Sequence, residues 1–412
     1  MNFKSGFLQE FQERGFLAQC THPQELDEIL SKEKITAYIG FDCTAKSLHV
    51  GSLIQIMILR LLQKHGYKPL VLLGGGTTKI GDPSGKDEAR NILNEEKIAE
   101  NLSGIRKTLE QFISFDEAAS GAVLVNNDDW LKNLNYIDFL RNIGRHFSVN
   151  RMLTFDSVKL RLEREQPLSF LEFNYMILQA YDFYELNQKH SCRLQIGGSD
   201  QWGNIVNGVE LTRKVAASNN QSREVFGLTS PLLTTADGKK MGKTAEGAVW
   251  LDATMLSPFD YFQYFRNTHD ADVIKFLKLF TDLEISEIEN LSKLKDQEIN
   301  QAKEILAFEA TKICHGKKIA EEVLQKAREI FLNKNTAAFE TKEIRGVGKK
   351  LTEIIKEIGA VESNAEAKRL IEGKAVKING EAALDIHHAI NQVGEFDLSV
   401  GKKKFFKVTI FD

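Results

Sequence analysis

Three polar segments of the chain carry side chains that could bind a phosphate or a small polar molecule. In the first, residues 38–52 (YIGFDCTAKSLHVGS), a strand pattern runs into a polar loop, and a helix begins at about Gly51. Backbone N–H groups at a helix start favour anions, and His49 beside that start could donate to a phosphate. Gly51 would let a nucleotide lie close to the backbone. The alternative is a helix entrance with an ordinary capping network.

The second segment, residues 237–244 (DGKKMGKT), is a lysine-rich loop with two glycines. Its side chains Lys240 and Lys243 suit the stabilisation of phosphate charge. Gly238 and Gly242 enclose only three residues, whereas a Walker A motif needs four before its Gly-Lys pair. No strong strand leads into the loop either. We therefore expect no P-loop fold, and a solvated basic turn is the alternative to a phosphate-binding loop.

The third segment is a predicted helix over residues 170–186. Its Tyr175, Gln179 and Asp182 share one face because they are spaced i, i+4, i+7. A polar stripe on an otherwise apolar helix is costly unless it is hydrogen-bonded or lines a cavity. Aromatic and apolar neighbours favour a cavity over a stripe that faces solvent.

Two shorter segments carry further carboxylates. Residues 81–86 (GDPSGK) form a turn with Asp82, which alone would be interpreted as a β-turn. Residues 195–202 (QIGGSDQW) are a strand end with two glycines, followed by a helix that opens with Asp200. An acidic residue at this place could hold a ribose diol, although a helix N-cap is the alternative.

The elements that must position these segments alternate between strands and helices. A helix is predicted over Gly51–Lys64, and the predicted strands are Ile35–Asp42, Lys68–Gly74, Ala122–Asn126 and Cys192–Ile196. Apolar runs without alternation are typical of strands buried on both faces, and strands separated by helices predict an α/β fold with a doubly wound, Rossmann-like parallel sheet. Ligands of such sheets bind beyond the carboxyl ends of the strands. One crevice is therefore expected to be surrounded by residues 42–52, 74–86 and 197–204.

Beyond about Leu251 the pattern changes to helices rich in Lys and Glu. A polar, weakly patterned stretch then predicts a linker, and the remainder predicts a compact α+β unit. Helices are expected there near Thr352–Ile358 and Ala365–Glu372, and strands at Ala375–Ile378 and Lys404–Phe411. The predicted organisation is an α/β domain, a lysine loop with its connection, a helical domain, a linker and a C-terminal module at residues 1–228, 229–250, 251–332, 333–350 and 351–412.

Composition limits the classes of protein that remain. With 42% hydrophobic and 27% charged residues, a folded protein is expected and a disordered one is excluded. The 54 Lys and Arg against 57 Asp and Glu give a net charge of −3, so any nucleic acid must be met by local basic patches. The four cysteines, which fit neither a disulfide framework nor a zinc ribbon, are Cys20, Cys43, Cys192 and Cys314. A signal-peptide pattern and a membrane-spanning apolar run are both missing, which predicts a cytoplasmic location and no membrane partner.

Together these segments resemble those of the bacterial-type tyrosyl-tRNA synthetases, which are class I aminoacyl-tRNA synthetases. HVGS at residues 49–52 resembles the family's HIGH signature, and KMGKT at residues 240–244 resembles KMSKS. The resemblance covers essentially the whole chain, and residues 351–412 are similar to the family's C-terminal RNA-binding module, the αL motif shared with a small-subunit ribosomal protein. The stretches that look like the family's substrate segments are 80–86 (IGDPSGK), 178–183 (LQAYDF) and 194–204 (LQIGGSDQWGN).

The resemblance implies an enzyme that makes tyrosyl-adenylate from L-tyrosine and MgATP and then esterifies tRNA(Tyr), with no metal bound by the protein itself. The implied catalytic residues, which would stabilise the phosphates, are Thr44, His49, Lys240 and Lys243. The implied ATP-binding residues are Gly51, Ser52, Gly198, Asp200, Lys240, Lys243 and Thr244. The implied tyrosine-binding residues are Tyr38, Asp42, Asp82, Tyr175, Gln179, Asp182 and Gln201. Within that set, Tyr38 and Asp182 would meet the phenol hydroxyl, whereas Asp82, Tyr175 and Gln179 would bind the ammonium group.

One position departs from the family pattern, because Ser52 stands where the HIGH signature has its second, ribose-contacting histidine. The resemblance further implies a homodimer. Basic residues beside two phenylalanines predict an RNA-binding patch, with a solvated charged surface as the alternative; they are Lys349, Lys350, Lys402, Lys403, Lys404 and Lys407. Two other functions stay open. One is an RNA-binding protein on an inactive synthetase scaffold, favoured only by Ser52, and the other is a tryptophanyl relative, against which Tyr38 and Asp182 argue.

Overall fold

A six-stranded sheet organises the first part of the chain in the computed structural model, which describes residues 1–82, 93–236, 238, 241–244, 247–331, 339–401 and 404–412. Its strands are β1 (Gln19–Cys20), β2 (Thr36–Asp42), β3 (Lys68–Gly74), β4 (Val123–Asn126), β5 (Cys192–Gly198) and β6 (Phe226–Ser230). The order across the sheet is β1-β6-β5-β2-β3-β4. Only β1 runs antiparallel to its neighbour among these pairs. The predicted parallel, doubly wound sheet is confirmed.

The burial of the strands explains why their sequences predict them. In β3 every residue after Lys68 is buried, as its continuous apolar run indicates. The observed β3 has the predicted bounds, and β2 and β4 each begin one residue later than predicted. The sequence prediction lacks β1 and β6.

Helices connect these strands and pack around them. They are α1 (Gly6–Glu13), α2 (Pro23–Lys32), α3 (Val50–Lys64), α4 (Glu95–Glu110), α5 (Asp128–Leu131), α6 (Tyr136–Asn142), α7 (Val149–Met152), α8 (Asp156–Glu163), α9 (Phe170–His190) and α10 (Trp202–Ser218). Helix α9 begins with a capping box between Ser169 and Glu172 and ends at Ser191, which has the left-handed φ of 51°. The predicted helix at 170–186 is therefore one turn too short.

The strand order places a crevice at the centre of the sheet. From β2 the chain proceeds outward to β3 and β4, and it then returns to β5 on the other side of β2. In doubly wound sheets the point where the order reverses opens a cleft at the carboxyl ends of the strands. Here those ends are Asp42 of β2 and Gly198 of β5.

A small hairpin and a set of helices follow the sheet. The hairpin consists of β7 (Lys243–Thr244) and β8 (Gly247–Ala248). The helices are α11 (Pro258–Arg266), α12 (Val273–Phe280), α13 (Ile285–Leu291), α14 (Ile299–His315) and α15 (Lys317–Phe331). Aromatic side chains such as Tyr261, Phe265 and Phe280 are fully buried among them. Within the described ranges, every helix is too short or too polar to cross a membrane.

The chain divides into two compact units, Met1–Ala320 and Glu321–Asp412. The second unit contains the helices α16 (Leu351–Glu357) and α17 (Asn364–Glu372). Its strands are β9 (Glu340–Arg345), β10 (Lys349–Lys350), β11 (Val376–Ile378), β12 (Glu381–Ala382), β13 (Ala389–Ile390), β14 (Gly394–Val400) and β15 (Lys404–Phe411). Five of these form a sheet in the order β12-β11-β14-β15-β9, and a core that includes Leu351, Leu398 and Val408 is buried against it. The second unit thus contains both helices and a sheet, as the predicted α+β class requires.

One part of the predicted linker is wrong. Residues 333–350 are predicted to be a linker, but residues 340–345 form β9, which pairs in parallel with β15 from Phe406 to Phe411. The sequence of β9, ETKEIR, is mostly charged because this strand lies at the sheet edge and only Ile344 is buried.

Candidate active site

The floor of the crevice is a buried carboxylate on α9. Asp182 is 1% exposed and accepts hydrogen bonds from Asn127 Nδ2 at 2.9 Å and from Trp130 Nε1 at 2.8 Å. Removal from water raises the pKa of this carboxyl to about 7, although the two hydrogen bonds act in the opposite direction. Asp182 therefore changes charge near neutral pH, and its oxygens still have lone pairs for a further donor.

A buried hydroxyl lies close to this carboxylate. Tyr38 on β2 is 2% exposed, and its ring packs against Phe183 at a centroid distance of 5.4 Å. Its hydroxyl bonds to no group in the described part of the chain. Burial, and then the charge of Asp182, raise the pKa of Tyr38, so that it stays a neutral hydroxyl able to donate and accept. A buried polar group without a partner is uncommon in folded proteins, and beside the Asp182 carboxylate this hydroxyl is suited to bind a polar group of a ligand.

The wall between this floor and the sheet edge is polar. Tyr175 on α9 donates from its hydroxyl to Asp42 Oδ1 at 3.3 Å, and Thr77 Oγ1 reaches the same oxygen at 3.4 Å. These bonds join α9, the end of β2 and the turn after β3. On the helix face predicted to line a cavity, Tyr175 is 6% exposed and Asp182 is 1% exposed, so both side chains are buried and do not face solvent.

A second polar group continues the wall towards α10. Gln201 Nε2 donates to Asp82 Oδ2 at 2.7 Å, and Asp82 is 8% exposed. Asn204 Nδ2 bridges Gln179 Oε1 at 3.0 Å and Gln201 Oε1 at 3.1 Å. Apart from Tyr38, the predicted tyrosine-binding side chains thus fall into two hydrogen-bonded groups. One joins Tyr175 and Asp42 to Asp182 through Thr77 and Asn127, and the other joins Asp82, Gln201 and Gln179 through Asn204.

The start of α3 presents a histidine at the mouth of the crevice. His49 is the N-cap, and its Nδ1 accepts from the backbone N–H of Gly51 at 2.9 Å. Because Nδ1 accepts this bond, a neutral His49 carries its proton on Nε2, which can donate to an anion. A Cβ at Gly51 would lie 2.5 Å from His49 Cε1, so only glycine fits there. The helix cap offered as the alternative is thus present, and phosphate binding by His49 stays a prediction that is compatible with this cap.

The lysine loop lies against this helix start. Gly242 has φ of 106°, and a Cβ added there would be 2.8 Å from the backbone N of Gly51. Val249, just after β8, accepts from the N–H of Val50 at 2.9 Å. Lys240 lies outside the described residues, and Lys243 with Thr244 forms β7. The fold thus brings the predicted lysine segment to the predicted phosphate-binding helix.

The loop after β2 is held by α4. The backbone N–H of Cys43 donates to Thr78 Oγ1 at 2.8 Å, and its carbonyl accepts from Asn101 Nδ2 at 2.8 Å. A Cβ at Gly104 of α4 would lie 1.9 Å from the carbonyl oxygen of Lys46. Thr44, in this loop, is exposed. The contacts fix the backbone on both sides of Thr44 and leave its side chain accessible.

The edge of β5 carries the predicted nucleotide-binding glycine. A Cβ at Gly198 would lie 2.6 Å from Asp200 Oδ1, so the carboxylate lies directly over this glycine. Asp200 is exposed, and the half-buried Ser52 donates its backbone N–H to the carbonyl of His49 at 2.8 Å. The structure brings Asp200, Gly198 and the start of α3 to the same side of the sheet.

The lysines predicted to bind RNA are partly engaged within the second unit. Lys349 pairs with Glu357 at 2.7 Å, Lys407 pairs with Glu395 at 2.7 Å, and Lys404 Nζ donates to the carbonyl of Ala360 at 2.7 Å. Lys350 is exposed, whereas Lys402 and Lys403 lie outside the described residues. Exposed ion pairs contribute little to stability, so Lys349 and Lys407 can exchange their carboxylate partners for phosphates.

Sequence reasoning missed three side chains of the site: Asn127, Trp130 and Asn204. Asn127 and Trp130 follow β4, whose carboxyl end belongs to the same edge as those of β2 and β5. Applying the strand-end rule to β4 would have found them. Asn204 lies within a segment that was noted for its other residues. Among the described residues, no group of three or more His, Cys, Asp or Glu side chains is placed to hold a metal ion.

Comparison with known proteins identifies the family. The model of the class I tRNA synthetases for W and Y matches residues 30–332. A tyrosine--tRNA ligase of Wolbachia pipientis (subsp. Culex pipiens, strain wPip) is 58% identical, with 100% of this chain and 99% of that protein covered. This chain belongs to the class I tRNA synthetases for tryptophan and tyrosine. The membership expected from the HVGS and KMGKT segments is confirmed.

Two further relatives agree with this assignment. A tyrosine--tRNA ligase of Ehrlichia ruminantium (strain Gardel) is also 58% identical, with 100% of this chain and 99% of that protein covered. A crystal structure of a C-terminally truncated Aspergillus nidulans mitochondrial tyrosyl-tRNA synthetase matches with a TM-score of 0.71 and 30% identity, covering 80% of this chain and 94% of that one. The synthetase therefore shares its fold as well as its sequence with known members.

Proposed function

We propose that this synthetase ligates L-tyrosine to tRNA(Tyr) through a tyrosyl-adenylate, with MgATP as co-substrate and pyrophosphate and AMP as products. The observation that carries the choice of amino acid is the Tyr38 hydroxyl, which is buried beside Asp182 and bonds to no described group. Tryptophan would offer this pair no phenol, and full-length relatives at 58% identity are tyrosine--tRNA ligases. Tyrosine is thus favoured over tryptophan, and an active enzyme over an inactive scaffold.

At the floor of the crevice, Asp182 and Tyr38 bind the phenol hydroxyl of tyrosine from two sides. The ionised Asp182 accepts a hydrogen bond from the phenol hydroxyl. The hydrogen bonds that Asn127 and Trp130 donate to this carboxylate hold it in place. Tyr38 donates to the phenol oxygen. Phenylalanine fits the same space but leaves both groups unpaired in a buried site, and this penalty supplies the discrimination.

The polar wall binds the amino-acid end of tyrosine. Asp82 and Asp42 supply negative charge for the ammonium group, and Tyr175 and Gln179 supply oxygen acceptors beside it. Gln201, bonded to Asp82, faces the reacting carboxylate end. These side chains orient the substrate carboxylate, which is already ionised at neutral pH and needs no general base.

The mouth of the crevice binds ATP and stabilises the transition state. The tyrosine carboxylate oxygen attacks the α-phosphorus, the bond to the bridging oxygen breaks, and pyrophosphate leaves. His49 Nε2, Thr44, Lys240 and Lys243 stabilise the charge that develops on the phosphates, and Thr244 supports the lysine loop. Gly51, Ser52, Gly198 and Asp200 hold the adenosine.

The remaining assignments concern partners and location. We place RNA binding in the C-terminal module, catalysis in the α/β domain and the enzyme in the cytoplasm. A homodimer is supported by a concentration of exposed apolar side chains between α6 and α9, including Tyr136 at 58%, Ile137 at 68%, Val149 at 58% and Phe170 at 71% exposure. Such a patch on a folded unit marks an interaction surface.

Amino-acid-dependent exchange of pyrophosphate into ATP tests the proposal directly. The expected result is rapid exchange with tyrosine and exchange near background with phenylalanine and tryptophan. Asp182→Ala should abolish the tyrosine signal without unfolding the protein, as circular dichroism would show. Faster exchange with tryptophan than with tyrosine would show that tryptophan is the substrate. No exchange with any amino acid would refute catalysis.

A further inference from the structure

Asp272 is a buried carboxylate at the start of α12 that bonds to the chain just before the lysine loop. It is 5% exposed, and its Oδ2 accepts from the backbone N–H of Ala236 at 2.7 Å. Aspartate is one of the preferred N-cap residues of helices, yet the Asp272 side chain caps no N–H of α12. The carboxylate is therefore used for a contact 36 residues away in the sequence and not for the local one.

A second side chain on the same face of α12 reinforces this contact. Lys275 lies three residues beyond Asp272, and its Nζ donates to the carbonyl of Thr234 at 2.9 Å. Thr234 and Ala236 both belong to residues 233–236, which form the entry segment of the lysine loop. The entry segment is thus held against α12 by a buried carboxylate and an exposed ammonium group.

The far end of the loop lies against the start of α3. The N–H of Met241 donates to the carbonyl of Leu233 at 2.9 Å, so Met241 lies at the closed base of the loop. A Cβ at Gly51 would lie 3.3 Å from the carbonyl oxygen of Met241, and a Cβ at Gly242 would lie 3.1 Å from His49 Nδ1. The loop is therefore fixed on one side to α12 and on the other to the predicted phosphate-binding helix.

Tyr264 of α11 connects the two sides. Burial raises the pKa of its hydroxyl, a hydrogen bond from the backbone of Gly242 acts in the opposite direction, and the charge of Asp272 raises the pKa further. The hydroxyl of Tyr264 is thus near both the Gly242 backbone and the Asp272 carboxylate. The helices α11 and α12 together contact the loop before and after its central residues.

We infer that Asp272 is a positioning residue for adenylate formation, which fixes the entry segment and thereby sets where Lys240 and Lys243 meet the phosphates of ATP. The inference rests on the proposed function. Charged groups stabilise a transition state most strongly when they are held in place before the reaction. Asp272 acts through the two lysines and binds neither ATP nor tyrosine itself.

Single-turnover formation of tyrosyl-adenylate measures this role. The rate constant at saturating ATP and tyrosine, and the Kd for tyrosine, are compared in the unaltered protein, Asp272→Ala and Asp272→Asn. Asp272→Ala should lower the rate constant about 10- to 100-fold, as a small misplacement of catalytic groups does, and leave the Kd for tyrosine unchanged. Asp272→Asn keeps an oxygen that can accept from the N–H of Ala236, so it should recover most of the lost rate.

Combination with Lys243→Ala separates positioning from a general structural effect. Once Lys243 is truncated, the loop has less charge for Asp272 to position. Asp272→Ala should therefore lower the rate only about 3-fold in the Lys243→Ala background, because residues that act as a unit are not additive. A general loss of structure would lower the rate by the same factor in both backgrounds.

Two further variants complete the test. Lys275→Met removes only the exposed contact to Thr234 and should lower the rate about 3-fold in a protein that stays folded. Asp270→Ala is the matched control, because it removes a carboxylate from the same short 3₁₀ helix, Asp270–Asp272, but one that pairs with Lys303 of α14. This control should leave the rate unchanged.

Three results would overturn the inference. They are an unchanged rate in a folded Asp272→Ala, equal losses with and without Lys243, and a Kd for tyrosine that rises as much as the rate falls. Should circular dichroism show that Asp272→Ala does not fold, Lys275→Met decides, and an unchanged rate in that variant overturns the inference. Failure of the unaltered protein to form adenylate would instead refute the proposed function, so the two failures are distinguishable.

Discussion

Replacing Trp130 by Phe should shift the pH dependence of tyrosine use. Trp130 Nε1 donates to Asp182 Oδ1 at 2.8 Å, and this bond stabilises the ionised carboxylate. Burial raises the pKa of Asp182 to about 7, and the bonds from Trp130 and Asn127 lower it from what burial alone would give. Phenylalanine keeps most of the ring volume but has no donor, so the pKa of Asp182 must rise further.

The size of the shift follows from the lost bond. A hydrogen bond to a charged group contributes about 1.5–3 kcal/mol, which corresponds to roughly 1–2 units of pKa at about 1.4 kcal/mol per unit. At pH 7 the ionised fraction would fall from about a half to between about a tenth and a hundredth. Under the proposed function the ionised carboxylate is the form that accepts the hydrogen bond from the phenol. We therefore expect kcat/KM for tyrosine to fall roughly 5–50-fold at pH 7 and less than about 2–3-fold at pH 9.

The assay is a pH profile of kcat/KM for tyrosine in pyrophosphate exchange. It runs from about pH 6 to about pH 9.5, which spans the expected pKa values of Asp182. Lys189→Met is the matched control, because Lys189 Nζ lies 5.3 Å above the Trp130 ring and its removal alters packing but not the N–H bond. The control should keep the original acid limb. Losses in Trp130→Phe that are equal at all pH values would show that Trp130 acts by packing alone, and the argument from the Asp182 pKa would fail.

Four other perturbations probe separate parts of the molecule. Tyr38→Phe should keep activity but reduce the preference for tyrosine over phenylalanine on the order of 10-fold, as kcat/KM for both amino acids would show; an unchanged ratio would remove Tyr38 from the site. Gly104→Ala should displace the carbonyl of Lys46 and lower kcat for adenylate formation, with a stability loss of about 1–3 kcal/mol, whereas unchanged kcat would show that α4 does not position the loop. Ile137→Asp should shift sedimentation from dimer to monomer, and an unaltered dimer would place the interface elsewhere. Removal of residues 339–412 should weaken tRNA charging and spare pyrophosphate exchange; loss of exchange in a folded protein would contradict the domain division.

The sequence predicted the buried strand β3 and missed the charged strand β9. The run KPLVLLG predicts β3 because both faces of that strand are buried. The strand β9, with the sequence ETKEIR, lies at a sheet edge, where charged side chains remain solvated and conceal the pattern. A local apolar pattern indicates which side chains are buried. An edge strand with one buried side chain has too few apolar residues to form such a pattern.

The site was predicted where segments contain several chemically distinctive residues. Tyr175, Gln179 and Asp182 could be placed on one helix face from spacing alone. The hydrogen bonds that Asp182 accepts from Asn127 and Trp130 could not be predicted from spacing, because they join α9 to the end of β4 across 55 and 52 residues of sequence. The apposition of Gly242 and Gly51 likewise depends on how the hairpin β7–β8 packs, which no local pattern indicates.

The hydroxyl of Tyr38, which has no hydrogen-bond partner among the described residues, lowers the folding stability of the protein without substrate. A buried hydroxyl that lacks a partner costs about 1–3 kcal/mol of folding free energy, and this side chain is buried on an inner strand of the sheet. The protein without tyrosine is therefore less stable than its packing would allow, and under the proposed function bound tyrosine would supply the missing partner. In a cell, the supply of the amino acid would then influence how long each copy of the enzyme survives thermal unfolding and proteolysis.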